Sequence, residues 1–396
     1  MGVDFSGLVH FVRTASLQIK QTTMPGIAQH KEGRTPRILH MVPALFDPDR
    51  GAIGGAERYV YELARHMADV VPTELLTFGD KNCEETVGKL RIRIAGNPWY
   101  VRGHRFNPVS TAIFSALRRA DVVHCHQQHT LASSLAALAC RLSWRRVFTT
   151  DLGGGGWDIS SYVSTDRLYH GHLHISEYSR QVFGHQGKAR AHVTLGGVDT
   201  ETFSPAAECP RDGSVLFVGR LLPHKGIQDL IQALPADMHL NVVGPVRDHV
   251  FYNKLRGLAE GRNITFIHDC DDAALVAHYR KALCVVLPSS YKTADGAFTL
   301  VPELLGQTLL EGMSCATPAI CTDVASMPEV VEDGVTGFVV PPNDPQALRQ
   351  KLEFLRDQPE RAANMGMEGR KRVLEHFTWP EVVKKCLAIY TPSETC

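Results

Sequence analysis

Short apolar runs and helical stretches alternate through this chain, and the alternation is interrupted once. RILHMVPALF, beginning at Arg37, is a strand-like run. PDRGAIGG follows as a Gly-rich loop, and AERYVYELARHMA carries apolar residues at helical spacing, Tyr59, Leu63 and Met67. The order repeats as VPTELLTFG, TAIFSALRRA, DVVHCH, LASSLAALACRL and RRVFTT. FSPAAECPRDG, rich in Pro and Gly, then marks a linker. Beyond it the strands SVLFVGR, NVVG, ITFIH, ALCVVLPSS and PAICT alternate with the helices IQDLIQALP, TLLEGMSC and PQALRQKLEFLRD. Alternation of this kind predicts an α/β fold with parallel sheets and helices on both faces. Two such runs predict two doubly wound domains.

The expected boundaries are an N-terminal extension over 1–36, a first domain over 37–204, a second over 213–378 and a C-terminal helical segment over 379–396 that packs back on the first domain. A length of 396 residues suits that division. Open parallel sheets bind ligands beyond the carboxyl ends of their strands, so two facing sheets are expected to form a cleft.

Charge excludes some functions. Forty-two basic side chains balance 42 acidic ones, so no overall field draws the chain to nucleic acid. No apolar run reaches a membrane span, and the first residues lack a secretory pattern, so the expectation is a soluble, cytoplasmic protein. The ten cysteines include no CxxC pair; Cys125, Cys284 and Cys321 sit in or beside apolar strand-like runs and Cys140, Cys315 and Cys386 in helical patterns, which predicts buried free thiols.

Two stretches carry chemistry. In FVGRLLPHKGIQDL, Gly219 and Arg220 end a strand, and Lys225 stands just before a helix. Positive charge at a helix start opposes the partial positive charge already there, and an anion bound at that point resolves the conflict. A solvated Arg and Lys on a surface loop is the plainer alternative. The GxxxxGK[ST] spacing of a Walker loop is absent. In PELLGQTLLEGMSCATP, Pro302 and Gly306 place a helix start near Gln307, which leaves Glu303 on the loop and Glu311 inside the helix. A carboxylate there can accept from the hydroxyls of a ribose or sugar, whereas a helix cap and a solvated face would need neither.

Together with GGAERYVYELARHM, GGVDTETFSP and the stretch PAICTDVASMPEVVEDGVTGFVVPPND, these motifs resemble the GT-B glycosyltransferases of family 4. Those are retaining enzymes that use nucleotide sugars, and the resemblance runs from about Arg37 to Tyr390. It implies that Arg220 and Lys225 bind the donor diphosphate, that Glu311 binds the ribose and that Glu303 contacts the transferred sugar. Backbone N–H groups near Gly54, Gly55, Gly306, Gln307 and Thr308 would cradle the phosphates, with Gly219, Gly244, Asp269 and Cys270 lining the nucleotide pocket. UDP is the implied nucleotide, ahead of GDP and ADP. No cofactor or metal is implied, because fixed positive charge and N–H groups serve the leaving diphosphate.

The chain departs from that pattern in three places. Relatives carry a His after the strand that ends here at FTT, where this chain has Asp151 followed by Leu152 and four glycines. Asp151 could orient an acceptor hydroxyl or simply form its own loop. SYKTADGAFTLVP lengthens the approach to Glu303, and Ala316 stands where the family generally has Gly. His124, His126 and His129 form an HxHxxH cluster, read as core and acceptor-side residues rather than a metal site, with His126 and Trp157 on the acceptor side. Trp99 and Tyr100 could stack on a sugar, although packing is the commoner role. The basic pairs Arg118–Arg119 and Arg145–Arg146 leave peripheral membrane contact as the less favoured reading. The implied partners are a nucleotide-sugar donor and a hydroxyl-bearing glycan, lipid or small-molecule acceptor. A non-catalytic binding subunit and a GT-B epimerase are the alternatives.

Overall fold

A computed structural model describes residues 35–43, 55–153, 158–206 and 209–391. The described residues divide into two compact units. One contains those up to His174, His185–Thr194 and those from Val383 onward, and the other contains Ile175–Gly184 and Leu195–Val382. The division differs from the expected boundaries in three details. Residues 175–184 group with the second unit, that unit takes over the chain from Leu195 rather than after 204, and the C-terminal helix Trp379–Tyr390 changes unit at Val383.

The first unit is built on an eight-stranded sheet. Its strands are β1 (Ile38–Met41), β2 (Thr73–Gly79), β3 (Cys83–Val87), β4 (Leu90–Gly96), β7 (Val122–His126), β8 (Arg146–Thr150), β9 (Gly171–His174) and β10 (Ala191–Val193), while β5 (Trp99–Tyr100) and β6 (Pro108–Val109) pair separately. The order is β10-β9-β8-β7-β1-β2-β4-β3, parallel throughout except for β3 against β4. The helix Gly55–Val70 buries Val60, Leu63, Ala64 and Met67, and each large apolar side chain so buried contributes about 1.5–3 kcal/mol. One core cluster joins Leu39, Leu76, Val123, Ala136 and Tyr169.

The second unit carries β11 (Val215–Val218), β12 (Leu240–Val243), β13 (Ile264–Ile267), β14 (Cys284–Leu287), β15 (Ala319–Thr322) and β16 (Gly337–Val340). All six are parallel in the order β13-β12-β11-β14-β15-β16. Renumbered within the unit, that is 3-2-1-4-5-6, the Rossmann order, whose direction reverses between β11 and β14. Cys125, Cys140, Cys284, Cys315, Cys321 and Cys386 are buried free thiols, and Cys315 lies just past its helix. Among the described residues no helix is long and apolar enough to cross a membrane.

Candidate active site

The strand order of the second unit locates its site. Ligands of open α/β sheets lie beyond the carboxyl ends of the strands where the order reverses, here between β11 and β14. β11 ends at Val218, just before Gly219 and Arg220, and the chain turns through Pro223–Lys225 into the helix Ile227–Ala233. β14 ends at Leu287 and leads through Ser289 to Glu303. The two loops are joined by a bond from Ser290 N to the His224 carbonyl, 2.9 Å. Across this seam Lys225 Nζ donates to Glu303 Oε1 in a short ion pair, and Ser289 Oγ donates to the same oxygen at 3.0 Å. Only 11 % of the Lys225 side chain and 12 % of that of Glu303 is exposed, so the pair is shielded yet reachable. His224 is pushed down to about 4 by burial, with Lys225 adding to the effect.

The helix Gln307–Ser314 follows. Its N-cap is Gly306 at φ 78°, a left-handed conformation that glycine adopts without penalty, and no side chain caps the first turn. Free N–H groups therefore remain at the helix start. The buried Thr308 hydroxyl has no hydrogen-bond partner among the described residues. Gln307 Nε2 reaches the Gly197 carbonyl at 3.2 Å. Glu311 lies one turn in and is buried rather than solvated, accepting at Oε2 from the Tyr279 hydroxyl at 2.8 Å. Gly244 follows β12, and a Cβ there would sit 1.9 Å from the Gly219 carbonyl oxygen, so only glycine permits this approach. Asp269 and Cys270 follow β13, with Asp269 exposed and Cys270 half-buried. Arg220 is exposed and makes no ion pair among the described residues. The expected donor residues of the second unit thus lie at the carboxyl ends of β11 to β14 or at the start of the following helix.

In the first unit the corresponding strand ends hold histidines. His40 on β1 pairs in register with His124 on β7, and alternation sends His126 to the same face. His40 Nδ1 meets His126 Nε2 at 2.9 Å, while His124 bonds the Tyr390 hydroxyl at 2.6 Å and Thr150 Oγ1 at 2.8 Å. Burial lowers all three, His40 to about 3. His126 is 0 % exposed, so the acceptor contact expected of it is corrected: its ring belongs to a buried polar network. Asp151, after β8, is nearly buried, and burial raises its pKa against the opposing pull of His129. Its Oδ1 accepts from Gly153 N at 3.0 Å, the local loop bond, and Oδ2 lies 3.7 Å from His129 Nε2. Gly55 opens the helix Gly55–Val70, whereas Gly54 and Trp157 lie outside the described residues. Trp99 is 62 % exposed on β5. Three of the four basic residues flagged for membranes are engaged internally: Arg119 with Glu74, Arg145 with the Ala120 carbonyl and Arg146 with the Tyr390 carbonyl.

Sequence reasoning missed Tyr279, Ser289 and Glu329. Glu329 accepts from Glu177 N and Tyr178 N, both at 2.7 Å, and so caps the helix Glu177–Val182 from a distance of about 150 residues in sequence. The segment before Glu303 folds back on itself through Thr293 N to the Ala297 carbonyl and Thr299 N to the Tyr291 carbonyl. The Tyr178 hydroxyl donates to the Leu300 carbonyl and holds that excursion.

Known proteins share this architecture. Residues 200–372 match the family model for glycosyl transferases group 1, and residues 53–202 match that for glycosyltransferase family 4. The α-maltose-1-phosphate synthase of Mycobacterium tuberculosis is 30 % identical over 321 residues, which is 70 % of this chain and 80 % of the relative. The phosphatidyl-myo-inositol mannosyltransferase of Mycobacterium leprae is 28 % identical over 71 % of this chain and 77 % of its own. Among solved structures, sucrose-phosphate synthase from Thermosynechococcus elongatus superposes with a TM-score of 0.69 at 20 % identity, covering 90 % of this chain and 98 % of that one. Anabaena HepE in complex with UDP and glucose gives 0.66 at 16 % identity, covering 89 % and 98 %. The chain belongs to the GT-B glycosyltransferases of family 4.

Proposed function

We propose that the chain is a retaining glycosyltransferase that moves a sugar from a UDP-sugar to an acceptor hydroxyl without a metal ion. The observation that carries this reading is the Lys225–Glu303 pair at the strand-order reversal, followed directly by an uncapped helix start. Lys225 and the exposed Arg220 supply positive charge for the donor diphosphate, and the N–H groups around Gly306–Thr308 supply oriented dipoles. Glu311 takes the ribose hydroxyls and Glu303 the transferred sugar. As the bond between the anomeric carbon and the phosphate oxygen breaks, the acceptor oxygen bonds to the same face of that carbon, and the departing phosphate takes the acceptor proton. Asp151 orients the acceptor hydroxyl. The UDP-bound Anabaena structure supports the nucleotide.

The test is mass-spectrometric detection of donor hydrolysis across UDP-, GDP- and ADP-sugars, with and without EDTA. Turnover of a UDP-sugar that resists EDTA and is lost in Lys225→Ala and Glu311→Ala supports the reading. Turnover of a GDP- or ADP-sugar alone replaces the nucleotide, and turnover that is lost in EDTA and restored by magnesium or manganese but not by zinc removes the metal-free mechanism. No turnover of any donor would count against an active transferase.

A further inference from the structure

Three titratable side chains outside these residues converge in the first unit. Asp166 opens the short helical turn Asp166–Leu168, His172 lies on β9, and His185 begins the return toward β10. One donor atom from each lies within 4.8 Å of the other two. His185 Nε2 is 3.4 Å from Asp166 Oδ2, and the rings of His172 and His185 are 4.1 Å apart.

Outer partners hold each of the three. Gln128 Nε2 donates to Asp166 Oδ1 at 2.8 Å, and His185 Nδ1 meets His174 Nε2 at 3.1 Å. The His172 ring bonds the Asp166 backbone, and its buried Nδ1 has no partner among the described residues. A hydrogen-bonded cluster accounts for Asp166 and His185 but leaves that lone pair without a donor, a costly state for a buried acceptor.

We infer that Asp166, His172 and His185 form a zinc-type divalent cation site. Two imidazoles and one carboxylate are a borderline donor set suited to zinc, with water as a fourth ligand, and too poor in oxygen for magnesium or calcium. Hydrogen bonds of the kind Gln128 and His174 make to Asp166 and His185 orient such ligands. Lys188 Nζ, 3.0 Å from Asp166 Oδ2 and half-exposed, holds the carboxylate when no cation does and turns outward when one binds. The other buried trio, His40, His124 and His126, is differently made: both nitrogens of His124 are already bonded, and no carboxylate belongs to it. His172 and His185 flank Ile175–Gly184, the segment grouped with the second unit. The cation therefore ties the departing and returning chain to the first sheet, a structural role separate from sugar transfer.

The test uses the full chain, stripped with a chelator and reloaded with zinc chloride. Bound zinc is measured by mass spectrometry after gel filtration, and affinity by competition with a chromophoric chelator. One zinc per chain is expected. His172→Asn should weaken binding by more than the roughly 10–100-fold that losing an outer partner costs. Lys188→Ala, a surface change that leaves the ligands intact, should tighten binding about tenfold by removing a competing charge. Absence of retained zinc in the native chain, unchanged affinity in His172→Asn, or unchanged affinity in Lys188→Ala would each overturn the assignment.

Discussion

The hydroxyl of Tyr279 donates to Oε2 of Glu311 across 2.8 Å, with both side chains buried. On the proposed reading Glu311 receives two ribose hydroxyls, and a carboxylate with that task gains from having its plane fixed beforehand, as the Tyr279 bond does. Hydrogen bonds to charged groups contribute about 1.5–3 kcal/mol, roughly a tenfold to hundredfold effect on binding. Tyr279→Phe should therefore raise the donor KM about tenfold while leaving kcat nearly unchanged. An unchanged KM would remove the positioning role.

Lys225 and Glu303 are each other's counter-ion in this structure. Removing one partner leaves the other shielded and uncompensated, whereas removing both does not. Lys225→Ala and Glu303→Gln should each lower the melting temperature, and the double variant should recover part of the combined loss, a coupling of about 0.5–3 kcal/mol. Strict additivity in denaturation of the three variants would show that the pair is not coupled. Donor turnover should fall about 100-fold or more in Lys225→Ala, the scale for a lost electrostatic donor at a leaving group.

Ala316 stands at φ 59°, just past the helix Gln307–Ser314, with its N–H bonded to the Met313 carbonyl. An L-residue in this left-handed position costs about 1–2 kcal/mol, of which glycine's freer unfolded chain returns part. Ala316→Gly should stabilise the protein by about 1 kcal/mol, a rise of about 2 °C by calorimetry. A fall in melting temperature would show that the alanine methyl contributes more packing than the strain it causes.

Acid should weaken the first unit through its buried histidines. His40 is lowered to about 3 and His124 and His126 are also lowered, so all three stay neutral in the fold while the unfolded chain protonates them near 6.5. A depressed folded-state pKa contributes stability above the unfolded value and loses it as pH falls. The loss should begin near pH 6.5 and steepen below it, approaching about 4 kcal/mol per pH unit for three groups. His40→Asn should reduce the slope of unfolding free energy against pH by one group's share, about 1.4 kcal/mol per pH unit, and an unaltered slope would assign acid sensitivity elsewhere.

Much of the local geometry of the candidate site is legible in the sequence. Gly219, Lys225 and the helix start near Gln307 are marked by local punctuation, glycine and charge where a strand meets a helix, and such signals survive folding. Tyr279 was not legible, because the helix Asp272–Lys281 buries only Val276 and Tyr279 and so shows little apolar periodicity. The helix Pro359–His376 escaped for a related reason: its buried face, Ala362, Met365, Gly366, Gly369 and Val373, carries two glycines that admit close backbone approach and dilute the apolar stripe. Ile175–Gly184 is held to the second unit by Glu329, Leu304 and Leu300, partners no local pattern can name. His126 was misread because a strand end at a binding edge looks the same in sequence whether its side chain faces a ligand or the helix packed beneath.

The Lys225–Glu303 contact closes a loop of 78 residues, and β12, β13 and β14 all fold within it. Contacts so distant in sequence come late, after the entropy of closing the loop has been met by the strands between. On the proposed reading, donor affinity therefore returns only once these three strands have folded, so its recovery after dilution from denaturant reports β12, β13 and β14 together.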